Sequence, residues 1–202
     1  MEFLEFAQAW NILSSEEVVT LTGDDPAQIP ALQLDYHEDR PAHRMLFGLH
    51  PGGESDIEDV EILDIPREKS AEVLQHILHK LHISPLLLLP IGKWRNLFEV
   101  VSPNLLDNPT WMELDTSATI ELNTRDPLHF DFRELHTLTA AVNAILMHAQ
   151  TLEQGCTVAT TAAPVLVEVD PTSGVLITLG NPSLAAEVRA VAEHEAGDSD
   201  EA

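Results

Sequence analysis

The sequence predicts an α+β fold, mainly antiparallel sheet packed against several helices, on three observations. Short apolar runs with strand spacing come in groups, whereas a doubly wound parallel sheet would alternate them one for one with helices. Segments with an apolar residue every three or four positions are interspersed among them. An apolar fraction of 44% with 22% charged residues is globular composition, so 202 residues can bury a real core.

Each element follows from local spacing. Phe3, Phe6, Trp10 and Leu13, with Leu4 and Ala7, predict a short amphipathic helix over residues 2–13 that docks on the rest of the chain. From there to about residue 65 the pattern is that of strands, with Val18–Thr22, Leu32–Tyr36, Met45–Leu49 and Val60–Ile62 lying between turn-rich stretches. An antiparallel meander is expected there. Pro66 suits a first helical turn, and Val73, Leu74, Ile77, Leu78 and Leu81 form one face of a helix over 67–82. Pro85-Leu-Leu-Leu-Leu-Pro90 reads as a short strand buried on both faces, because each proline ends the element. Trp94, Leu97, Phe98 and Val101 then give a helix that Ser102-Pro103 stops.

From 111 to 123 the even positions (Met, Leu, Thr, Ala, Ile, Leu) alternate with mostly polar odd ones, which predicts a half-buried strand. Asp131 and Glu134 have the spacing of a capping box opening a long helix at about 132–153. Residues 135–152 of that helix contain no Asp, Glu, Lys or Arg. Leu135, Leu138, Val142, Ile145, Leu146 and Ala149 take one face, and His136, Ala140, Ala144 and Met147 the opposite one. A helix with no charged face is covered on both sides, by its own fold or by a second copy. Thr157–Val169 and Val175–Leu179 predict a hairpin about a turn at 170–174, with Val175, Ile177 and Leu179 on one face. Asn181-Pro182 opens a last helix to about 195. Residues 1–195 read as one domain, with Asn104–Pro109 as the only candidate boundary, and 196–202 as a disordered acidic tail.

The formal charge of −24 narrows the function classes. It falls mostly at the ends, with −13 over residues 1–72, −4 over 73–153 and −7 over 154–202. Ten cations against 34 acids argue against nucleic acid and anionic membrane surfaces as partners, and favour a basic or neutral protein surface. Abundant acid with few lysines is also how a salt-adapted protein stays hydrated. One cysteine, Cys156, excludes an intramolecular disulfide framework and points to the cytoplasm. The longest aliphatic run, Leu86–Leu89, is far too short to span a bilayer.

Four groups of residues invite a chemical reading. His76, His79 and His82 are spaced for metal ligation, but they fall opposite their helix's apolar face, spread over about 120°, so solvated surface residues are expected and no metal or other cofactor is assigned. The richest polar cluster runs from Asn123 to His136, where a strand ends and a helix begins. There His129 with Asp131 could form a general base and its orienting carboxylate, or metal ligands, with His136 beside them and Arg125 or Arg133 holding an anion near the helix N-terminus. Helix capping by Asp131 is the competing assignment. Lys93, Trp94 and Arg95 are the densest basic and aromatic spot and a candidate binding anchor, although such a tryptophan is more often core. Cys156 has no motif that would make it a nucleophile and is expected as a buried, small, apolar side chain.

The sequence thus predicts a non-catalytic acidic cytoplasmic protein, adaptor or chaperone-like, which forms a homodimer through the uncharged helix or an adjoining sheet and binds a protein partner. The alternative is a hydrolase, with or without a metal, using His129, Asp131 and His136.

Overall fold

A computed structural model describes residues 1–5, 8, 19–22, 31–34, 43–46, 61–117, 126–160, 165–179 and 182–198. Over these the fold is α+β, with one seven-stranded sheet, one three-stranded sheet and five α-helices. The strands are β1 (Glu2–Phe3), β2 (Val19–Thr22), β3 (Ala31–Leu34), β4 (His43–Leu46), β5 (Glu61–Pro66), β6 (Leu86–Pro90), β7 (Leu128–Phe130), β8 (Cys156–Thr160), β9 (Val165–Asp170) and β10 (Gly174–Leu179). The helices are α1 (Arg67–Lys80), α2 (Trp94–Val101), α3 (Pro109–Ser117), α4 (Leu135–His148) and α5 (Pro182–Asp198).

The expected meander is β2-β3-β4, antiparallel throughout. The strand that follows it in sequence does not join it. β5 pairs instead with β10, at one edge of the large sheet, whose order is β1-β7-β6-β8-β9-β10-β5 and whose neighbours are all antiparallel.

Register explains why this sheet holds a core. One row of directly paired residues crosses all seven strands as Phe3, Leu128, Leu88, Val158, Val167, Ile177 and Leu63, every one apolar. A slip of one residue in any strand would turn its apolar set to the other face, so the row fixes the pairing. These residues join one continuous cluster with α1, α2, α4 and α5, which cover that face. α1 and α4 run antiparallel there: Arg67 Nε donates to the Leu146 carbonyl at one end, and Phe132, just before α4, meets the His79 ring at the other. The next row, Glu2, His129, Leu87, Ala159, Leu166, Thr178 and Ile62, points to the opposite face. Its central members Leu87, Ala159, Leu166 and Thr178 are buried too, so β6 is covered on both faces, as its aliphatic run predicts.

Several expectations need correction. Glu2–Phe3 is a strand paired with β7, not the start of a helix; most of the predicted 2–13 helix lies outside the described residues. The alternation predicted as a strand at 111–123 is helical over its described part, 111–117, and residues 118–123 lie outside the described residues. Residues 109–117 form α3, because Asn108 Oδ1 accepts the Trp111 N–H at 3.0 Å and Pro109 follows it as the first helical residue. Trp111 and Leu114, three apart, are its buried side chains. The predicted helix at about 132–153 is shorter: a 3₁₀ turn at Phe132–Glu134 leads into α4, which ends at His148. Ala149 is extended, and Thr151 and Gln154 form a second capping box that starts a separate turn. The arm predicted at Thr157–Val169 is two strands, β8 and β9, paired with each other. The β9–β10 hairpin itself stands as expected, with Asp170 Oδ1 accepting the Thr172 N–H at 2.7 Å in its turn. α5 extends to Asp198, and Asn181 and residues 199–202 lie outside the described part.

Candidate functional site

The β7-to-α4 junction is held by its own backbone groups. Asp131 takes the N-cap position and Glu134 the third, with each side chain accepting the other's backbone N–H; the Asp131 N–H to Glu134 Oε2 distance is 2.9 Å. Glu134 Oε1 also accepts from the Met1 α-ammonium, which is brought there by the pairing of β1 with β7. Burial raises the Glu134 pKa, but the ammonium's hydrogen bond, the Asp131 N–H, the ammonium's charge and His129 lower it further, leaving the carboxyl below its ordinary value.

This arrangement sets the three residues of the hydrolase reading to different tasks. Leu128 and Phe130 face the helices, so His129 between them points to the opposite face of the sheet, level with Glu2 and Leu87. His136 lies on the helical side, exposed, with Nδ1 3.1 Å from the Arg133 carbonyl and Nε2 3.3 Å from Thr137 Oγ1. Asp131 is engaged in capping, and Arg125 lies outside the described residues. The sheet therefore stands between the two imidazoles.

His76, His79 and His82 are all exposed, as the helical projection predicts. Among the described residues no cluster of three or more metal-ligating side chains occurs. His79 and His82 instead pack against Phe132, with ring centroids 5.4 and 5.5 Å away. Phe132 remains 39% exposed, an apolar surface residue that periodicity did not single out.

Lys93, Trp94 and Arg95 separate into two environments. Trp94 is fully buried, its Nε1–H donating to the Asp126 carbonyl at 2.8 Å and its ring meeting Phe3 and Phe98 edge-on. It is core. Lys93 and Arg95 stay exposed, and Arg95 lines an open groove between α2 and α3 together with Phe98, Pro103 and Leu106. Leu105 is buried and Leu106 exposed, a difference that nothing in the sequence signals, since adjacent apolar residues are both buried elsewhere in the fold.

The uncharged helix is mostly used by its own fold. Nine of the fourteen residues of α4 are buried, Ala144 among them. The outward line is His136, Ala140, Asn143 and Met147, spaced i, i+4, i+7, i+11, with Met147 62% exposed. Cys156 is fully buried and its thiol pKa is pushed far above the usual range by desolvation, which removes it from nucleophilic chemistry. No helix among the described residues is long and apolar enough to cross a membrane.

No protein-family profile, curated protein sequence or solved structure matches this chain.

Proposed function

We propose that this chain is a non-catalytic acidic interaction protein, adaptor or chaperone-like, that pairs reversibly with a second copy and offers its remaining surface to a basic or neutral protein partner. The observation that carries the self-association is the outward line of α4. Two molecules of formal charge −24 repel, least where the contact itself holds no carboxylate, and His136, Ala140, Asn143 and Met147 form a surface line without any. Met147, at 62% exposure, is its large apolar side chain, at the C-terminal end of the line. A two-fold pairing would bring the same line from both copies together. Because most of α4 is already buried in its own fold, the contact is narrow, and a concentration-dependent dimer fits it better than an obligate one. The employment of Asp131 as a cap, with His129 and His136 on different sides of the sheet, favours this reading over hydrolysis. A cytoplasmic setting accords with a single cysteine.

Sedimentation equilibrium and native mass spectrometry on the untagged chain test this. A reversible dimer is expected, tightened by added salt because screening weakens the repulsion between copies. Met147→Glu, which puts a carboxylate into the line, is expected to leave monomer only. A wild-type chain that stays monomeric across the micromolar range, or a dimer untouched by Met147→Glu, overturns the assignment.

A further inference from the structure

The groove between α2 and α3 has a volume of about 580 Å³. Phe98 and Pro103 line it with Leu106, which at 66% is the most exposed large apolar side chain among the described residues. Two carboxylates, Glu99 and Asp115, share it with one cation, Arg95. Arg95 and Glu99 are one helical turn apart on α2. Behind the lining, the buried Trp111 ring lies 5.0 Å from that of Phe98, and its Nε1–H donates to Ser102 Oγ at 3.0 Å. Asn108 Nδ2 in turn donates to Thr137 Oγ1 on α4 at 3.2 Å, so the α3 side is tied to the body of the fold. The groove is thus a shallow, open depression on a tied-down surface, apolar in its middle and charged at its rim.

We infer that this groove docks a peptide segment of another protein, one that carries a large apolar side chain flanked by lysine or arginine. The apolar side chain would cover Leu106 and Pro103, which otherwise stand in water above the buried Phe98. The flanking cations would reach Glu99 and Asp115. Charge complementarity excludes an acidic segment twice over, at the rim and through the long-range field of a −24 chain. Arg95 adds a restriction, since a segment with a cation at every position would place one against it. The inference rests on the reading of the chain as an interaction protein and is independent of self-association, because the groove shares no residue with the outward line of α4.

The test titrates a fluorescein-labelled helical peptide, leucine on one face and lysine on the other, into the full chain by fluorescence anisotropy. Saturable binding is expected. Leu106→Ser keeps the net charge and removes only the apolar contact, and it is expected to weaken binding about tenfold or more. Glu99→Lys is expected to do the same, while Ile62→Ser, at an exposed apolar site on β5, leaves binding unchanged. The same peptide with alanine for leucine is expected to bind about tenfold more weakly at equal charge. Equal binding of the alanine peptide, unaltered affinity in Leu106→Ser or no binding at all overturns the inference. The Met147→Glu variant is expected to bind the peptide like wild type, so a failure of self-association and a failure of docking are read separately.

Discussion

Asp131 and Glu134 cap one another at the entrance to α4, each side chain accepting the other's backbone N–H. The Asp131 N–H is thereby paired, and the Glu134 N–H, already 2.9 Å from the Asp131 carbonyl oxygen, gains a second acceptor. Asp131→Ala removes one of the acceptors and is expected to destabilise the protein by about 1 kcal/mol, with Asp131→Asn losing much less because asparagine caps nearly as well. Urea denaturation of the three proteins checks this ordering. A carboxylate that served catalysis would show no such tolerance of asparagine in an activity assay.

Glu134 gives the fold a defined acid sensitivity. Its folded pKa is below the ordinary 4.5, so it contributes stability that is fully present above that value and is lost as the pH falls through the lower folded pKa. Glu134→Gln has no carboxylate to titrate. The stability difference between wild type and Glu134→Gln is therefore expected to be constant above pH 4.5 and to shrink below it. Denaturant midpoints measured from neutral pH down into this range follow the difference directly.

Cys156 is completely buried and its thiol is held protonated by desolvation. In the native protein it is expected to resist thiol reagents, and labelling should track unfolding as denaturant is added. Cys156→Ser places a hydroxyl at the same buried position and is expected to cost about 1–3 kcal/mol if that group stays unpaired. Cys156→Ala is expected to cost less. Rapid labelling of the folded chain would contradict the placement.

Gly174 begins β10 with φ +127°, and a Cβ there would lie 2.4 Å from the Ile65 carbonyl oxygen of the neighbouring strand. No L side chain fits without moving backbone. Gly174→Ala is expected to destabilise by more than about 1 kcal/mol, since the conformation itself is unfavourable for alanine. Thermal unfolding of the variant, with Gly197→Ala near the end of α5 as a comparison, separates this local strain from a general glycine effect.

What could be read from the sequence was mostly local. The proline-bracketed Leu86–Leu89 run, the face of α1, the i, i+3, i+4, i+7 set of α2, the capping box of α4 and the β9–β10 hairpin each carry their signal within one element. Trp111 to Ser117 alternates like a strand although it is α3, and Asn108-Pro109, read in the sequence only as part of a candidate boundary, is its start signal, the same dipeptide as Asn181-Pro182. The short strand Glu2–Phe3 had no local signal, since its pairing partner is β7. The same distance hid the candidate site. That His129 and His136 would point to different sides of a sheet depends on strand pairing, not on their seven-residue spacing. Exposure of Leu106 and Met147 depends on which neighbours fill the core first.

The neighbours of β6 in the sheet are β7 and β8, both encoded well downstream of it. A chain that emerges from the ribosome N-terminus first therefore presents its most aliphatic stretch, Leu86–Leu89, before either partner strand exists. Nothing completes the middle of the large sheet until Thr160 has been made. During that interval the nascent chain carries a solvent-accessible, β-prone segment with no charge in it, the kind of sequence that chaperones bind and that aggregates when they do not.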